Sequence, residues 1–255
     1  MGLGHSNEPH PYLDAETAAR NTVDLLRAAR SVVQARGLAW PAPLFLTGFS
    51  QGGQATVAAH RLLERDPVDG LRVRASAPIA GPFQLLNISF PHALTGVAPS
   101  HALYLGYISQ AYARIHAQPL SSVFRQPWAE RVPNLFDGTH DGEEITATLP
   151  ARSSDLYRTD FLERYETGGE SWYTRALGAN QVHDWRPRAP LRLYYGDLDL
   201  DVSPRESRAT ADHMSGLGAD VTAVSVGAFD HEGSVLPAVA QIRAWFDELG
   251  ESTTP

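Results

Sequence analysis

The turn Gly48-Phe49-Ser50-Gln51-Gly52 restricts the fold more than any other stretch of this chain. Before it, Leu44-Phe45-Leu46-Thr47 has the length and apolar content of a buried strand. After it, Gln54 to about Arg65 reads as a helix. A chain that passes from strand to helix in so few residues makes a tight turn and presents the Ser50 hydroxyl to a cleft. The turn also forces helix against strand, so the positions two before and two after the serine must lack bulky side chains. Both are glycine, and Gly53 extends the small-residue stretch.

The flanking sequence repeats the same alternation. Asp14 stands where it can cap a helix running to about Arg36, with Ala18, Thr22, Leu25, Ala29 and Val32 as its apolar stripe and Gly37 as its stop. Leu71 to Ile79 alternates like a strand. Residues 82–189 break the rhythm. Tyr104, Ile108, Tyr112 and Ile115 line one side of a helix there, and Trp128, Phe136, Leu156, Phe161, Leu162, Trp172, Tyr173 and Trp185 follow between acidic loops. This predicts a largely helical insertion with a core of its own. The alternation resumes with a strand at Leu191–Tyr195, a helix from Pro204 to about Leu217 and a strand from Val221 to about Val226. A last helix carries Val235, Ala238, Ile242, Trp245 and Leu249 at helical spacing. Helix and strand in this order predict an α/β fold with a mostly parallel sheet. Residues 1–81 and 190–255 form its catalytic domain, and 82–189 are the insertion.

Composition removes several functions. The chain has 255 residues and a net charge of −8, and all 21 basic residues are arginine. An acidic chain without a basic cluster does not suit nucleic acid or an anionic membrane. With no cysteine, disulfides and thiolate chemistry are excluded. No apolar run approaches the roughly 18 residues of a membrane span, and no signal peptide is recognisable, so the compartment is left open.

A serine hydroxyl becomes a useful nucleophile when a base takes its proton and a carboxylate orients that base. After a strand–turn–helix serine the chain order is serine, acid, histidine. His213 falls within the helix after Pro204, whereas His231 follows the last strand in Phe229-Asp230-His231-Glu232-Gly233, where a loop can carry it to Ser50. The acid should follow the strand at Leu191–Tyr195, where Asp197, Asp199 and Asp201 alternate. Their spacing suggests a calcium loop, but Val202 and Arg208 occupy the positions that need glycine and glutamate. Asp137, His140, Asp141 and Glu144 offer metal-ligand residue types, and an acidic surface loop accounts for them better. No metal and no cofactor is expected.

These pieces resemble the α/β-hydrolase superfamily, in its bacterial esterase and lipase branch related to secretory lipases. The resemblance rests on Gly48 to Gly53 and on Gly196-Asp197-Leu198-Asp199-Leu200-Asp201-Val202-Ser203-Pro204, which is similar to the superfamily's G-x-x-D-x-x-V-P loop displaced by one residue at the proline. Gly2-Leu3-Gly4-His5-Ser6, His10-Pro11-Tyr12-Leu13 and Asp184-Trp185-Arg186-Pro187 add to it. It selects Asp199 as the acid, with Asp201 next. It implies a triad of Ser50, Asp199 and His231, an oxyanion donor in the Gln51 N–H, and a cap formed by 82–189 over an acyl pocket. The implied activity is hydrolysis of a small-molecule or lipid ester through an acyl-enzyme. The same triad also serves peptidases and thioesterases.

The family pattern places four strands before the serine strand, and here only residues 1–49 precede Ser50. On this resemblance the chain is an N-terminally shortened form, lacking the loop that gives the second oxyanion hydrogen bond. Such a donor contributes on the order of 3 kcal/mol. The strand ending at Thr47 would be a sheet edge open to a homodimer. A non-catalytic or poorly active remnant is therefore the alternative function. Relatives are often exported.

Overall fold

Runs of apolar residues too short for helices become the four strands of one parallel sheet among the described residues. The computed structural model describes residues 6, 8–40, 43–68 and 71–251. Gly2-Leu3-Gly4-His5, part of the resemblance above, lies outside the described residues. In chain order the elements begin with α1 (Ala15–Ala35), β1 (Leu44–Phe49), α2 (Gln51–Arg65) and β2 (Val73–Ile79). A helical stretch follows, with α3 (Phe90–Thr95), α4 (His101–Ile115), α5 (Trp128–Leu135), α6 (Gly142–Thr148), α7 (Thr159–Glu166) and α8 (Trp172–Ala179). The chain then returns through β3 (Leu191–Tyr195), α9 (Arg205–Gly216), β4 (Val221–Ser225) and α10 (Val235–Glu251).

Two compact units result. One comprises Ala15–Gln84 with Gln181–Pro255, and the other Met1–Asp14 with Leu85–Asn180. The divisions fall at 14/15, 84/85 and 180/181, and hydrogen bonds hold the residues beside them in their units. Phe83 and Gln84 donate their backbone N–H groups to Glu206 on α9, and Val182 N–H donates to the Phe83 carbonyl. Phe83, Gln84 and Val182 are thereby tied to the sheet unit. Leu13 in turn accepts a hydrogen bond from the Tyr112 hydroxyl on α4, and Tyr12 stacks on Tyr107.

In the sheet unit the strand order is β1-β2-β3-β4. Parallel neighbours need crossover connections, and α2 and α9 supply two of them. Alternation along the strands sends side chains to opposite faces. Leu46, Leu191 and Leu193 pack with Val57 and Leu62 of α2 and Met214 of α9. Ala75, Ala77, Ile79 and Tyr194 pack with Ala238, Ile242 and Trp245 of α10. Burying each leucine or isoleucine in these layers contributes about 1.5–3 kcal/mol. The α10 stripe is the one its periodicity predicts.

The α1 stripe is not. Ala15, Ala19 and Val23 are buried against the α2 layer, while Leu25 and Val32 are 69% and 52% exposed. Helix α1 carries two neighbouring apolar stripes about 100° apart, and spacing alone does not distinguish them. Small residues at 15 and 19 let the two helices approach closely, and that contact decides the face. Trp185 also departs from expectation. It packs in the sheet unit, edge-on to His60 and with its indole N–H on the Val182 carbonyl.

The helical unit has its own core, with Leu156, Phe161 and Tyr173 buried and Trp128, Phe136, Leu162 and Trp172 packed around them. At its centre the hydroxyls of Ser109, Tyr157 and Tyr173 form a closed triangle with sides of 2.8, 3.1 and 3.3 Å. Burial pushes the Tyr173 phenol up to about 12, so it stays protonated and able to donate. No helix among the described residues is long and apolar enough to cross a membrane.

Candidate active site

Because every strand runs the same way, the loops after β1, β3 and β4 leave the same end of the sheet. Those loops carry Ser50, Asp199 and His231. The three side chains meet within the sheet unit. His231 Nε2 lies 3.0 Å from Ser50 Oγ, and His231 Nδ1 lies 2.7 Å from Asp199 Oδ2. An ionised carboxylate only accepts, so Nδ1 carries the imidazole proton and Nε2 accepts the Ser50 hydroxyl.

Ser50 sits between β1 and α2 with φ 54° and ψ −118°, on the side of conformational space that non-glycine residues rarely occupy. Such a conformation costs about 1–3 kcal/mol and persists only where its surroundings hold it. Here Ser50 N–H donates to the Ile79 carbonyl at 2.9 Å, and its own carbonyl accepts from Gly53 and Gln54. Gln51 is the first residue of α2, so its N–H belongs to the positive end of the helix dipole.

The glycines around Ser50 play unequal parts. A Cβ on Gly48 would lie 2.3 Å from the Gly52 carbonyl oxygen, and one on Gly53 would lie 2.9 Å from Gly81 Cα. A Cβ on Gly52 would meet nothing within 4 Å. The tight positions are therefore 48 and 53, where 48 and 52 were expected. Gly52 matters through its carbonyl, which abuts Gly48. Gly48→Ala should destabilise the protein by about 1–3 kcal/mol, because the obstacle is backbone and cannot swing away. Gly52→Ala should instead gain a few tenths to about 1 kcal/mol by restricting the unfolded chain. Thermal melting of the two variants checks the opposite signs.

Asp199 is 3% exposed, and both oxygens of its carboxylate accept hydrogen bonds. Oδ1 accepts the N–H groups of Asp201 and Val202 at 2.9 Å each, while Oδ2 faces His231. The loop thus turns the Asp199 side chain inward and uses the backbone of Asp201 to hold it. The Asp197 carboxylate instead contacts Ser225 and Arg208. His231, 5% exposed, packs its ring 4.6 Å from that of Phe49, and its carbonyl accepts from Ser234 Oγ. His213 stands apart on α9, hydrogen-bonded to Asp184.

The acidic loop at 137–144 is occupied with local structure. Asp141 and Glu144 form a capping box on α6, and Asp137 accepts from Thr139. Among the described residues no group of three or more histidine, aspartate or glutamate side chains is arranged to hold a metal ion. Three supporting contacts were not foreseen from the sequence. They are the Glu206 clamp on Phe83 and Gln84, the Gly53–Gly81 approach, and Gly196, where a Cβ would lie 2.2 Å from the Phe229 carbonyl oxygen.

No family model matches the chain, and no curated protein matches it. Solved structures do. A Legionella pneumophila protein described as a hydrolase superposes with a TM-score of 0.93 at 25% identity, covering 100% of this chain and 69% of its own. The rice cell wall degrading esterase LipA from Xanthomonas oryzae has a TM-score of 0.85 at 26% identity, covering 100% of this chain and 70% of its own. Candida antarctica lipase A shares the fold at 15% identity and a TM-score of 0.75, covering 96% of this chain and 56% of its own. With its parallel sheet, its strand–turn–helix serine and these likenesses, the chain is an α/β-hydrolase, built like the esterases and lipases of that superfamily.

Proposed function

We propose that the chain hydrolyses carboxylic esters through an acyl-enzyme on Ser50. The observation that carries this reading is the continuous contact from Asp199 through His231 to Ser50, at 2.7 and 3.0 Å. As Ser50 Oγ attacks the ester carbonyl, His231 Nε2 takes its proton and the carbonyl oxygen becomes an oxyanion. The Gln51 N–H, next to the nucleophile at the start of α2, donates to that oxygen. Asp199 holds the imidazole in the tautomer this transfer needs and stabilises the imidazolium. His231 then returns the proton to the departing alkoxide, leaving Ser50 acylated. In the second half a water gives its proton to His231 and attacks the acyl carbon, and Ser50 leaves with the proton restored.

Ester is preferred over amide or thioester because similar structures include the LipA esterase and lipase A. A p-nitrophenyl ester series from acetate to longer acyl chains, assayed with the purified chain, tests the reading. Steady turnover that His231→Ala removes supports it. A folded protein that turns over no member of the series would favour a non-catalytic remnant.

A further inference from the structure

The histidine has the longest way to travel. Strand β4 stands three positions from β1, about 14 Å at the usual strand spacing, so the loop after β4 must double back to bring His231 to Ser50. It does so along the Asp199 loop. Asp197 N–H donates to the Gly227 carbonyl at 2.8 Å, and Leu198 N–H donates to that of Phe229 at 3.0 Å. At Gly196 the two loops touch backbone to backbone.

One side chain ties this crossing together. Asp197 Oδ2 accepts from Ser225 Oγ at 2.7 Å, and Ser225 Oγ in turn accepts the Gly227 N–H at 3.0 Å. The other oxygen, Oδ1, accepts from Arg208 on α9 at 3.2 Å, and Arg208 also donates to the Tyr195 hydroxyl at the end of β3. The carboxylate therefore links the end of β4 and the start of the histidine loop to the helix that follows the acid loop. We propose that Asp197 is a positioning residue, which through Ser225 and Gly227 sets where His231 meets Asp199 and Ser50. This inference rests on the ester-hydrolysis reading above. A displacement of about 1 Å in reacting groups costs up to a hundredfold in rate, so a modest loosening of this loop is readable in kcat.

The test compares Asp197→Ala, Asp197→Asn and Ser225→Ala, with Ser50→Ala as reference, on p-nitrophenyl butyrate. Asp197→Ala should lower kcat about tenfold with KM unchanged within about twofold, since substrate contacts are untouched. Asp197→Asn keeps an oxygen for the Ser225 hydroxyl and should stay within about threefold of the parent. Ser225→Ala should match Asp197→Ala, and the double variant should lose no more than either alone, because both break one link. Ser225→Ala removes only a hydroxyl, so it carries the test if Asp197→Ala does not fold. Parental kcat in Asp197→Ala or Ser225→Ala, an Asn variant as slow as the Ala variant, or additive losses would overturn the proposal. If Ser50→Ala is inactive while Asp197→Ala matches the parent, this inference alone fails. If Ser50→Ala retains parental activity, the underlying reading fails instead.

Discussion

Ser50→Ala is expected to lower kcat for p-nitrophenyl ester hydrolysis by roughly 10³- to 10⁶-fold, with KM changed little. The nucleophilic oxygen is removed, so the two-step route through an acyl-enzyme closes, and what remains is the modest help of oxyanion stabilisation and binding. The fold should survive, because the residue is held at φ 54° by backbone bonds to Ile79, Gly53 and Gln54 that alanine keeps. A melting temperature close to that of the parent, measured beside the kinetics, separates loss of chemistry from loss of structure.

Asp199→Asn should be nearly as damaging, with kcat down by about 10⁴-fold. The asparagine amide can present its NH2 group to His231 Nδ1. That choice moves the imidazole proton to Nε2, the wrong side for accepting one from Ser50. The neighbouring Asp201→Asn is expected to stay within a few-fold of the parent. Asp201 donates its backbone N–H to Asp199 Oδ1, and asparagine retains that group. Steady-state kinetics on the two variants side by side distinguish the acid by its role, since the two carboxylates stand two residues apart in the same loop.

Much of this arrangement was legible in the chain because it is written locally. A short apolar run, a glycine-flanked serine and a helical stretch define β1, the turn and α2 within about twenty residues. His231 was identifiable because it follows the last strand, and parallel strands bring their C-terminal ends together. The acid was harder. Asp197, Asp199 and Asp201 alternate, and periodicity gives no reason to prefer one. Three-dimensional partners separate them, since Asp199 faces His231 and the N–H groups of its own loop while Asp197 faces Ser225 and Arg208.

What the sequence hid depends on contacts between distant segments. The buried face of α1 was misread because Ala15, Ala19 and Val23 form a second stripe beside the first, and packing on α2 chooses between them. Gly53 looked like an extension of the glycine turn, yet it meets Gly81 just past the end of β2. Glu206 reads as an ordinary first-turn acid of α9, but it accepts two backbone N–H groups from Phe83 and Gln84. In each case the local signal was right about the element and silent about its partner.

The role of Ser50 as nucleophile is tested most directly by the mass of a fluorophosphonate adduct mapped to its peptide. With no lysine in the chain, trypsin cuts after arginine alone and releases 37–61, in which Ser50 is the only serine. The parent protein should carry one adduct per chain, on Ser50 in that peptide, and Ser50→Ala none. A folded parent protein that takes up no adduct, or takes it on another peptide, would contradict that role.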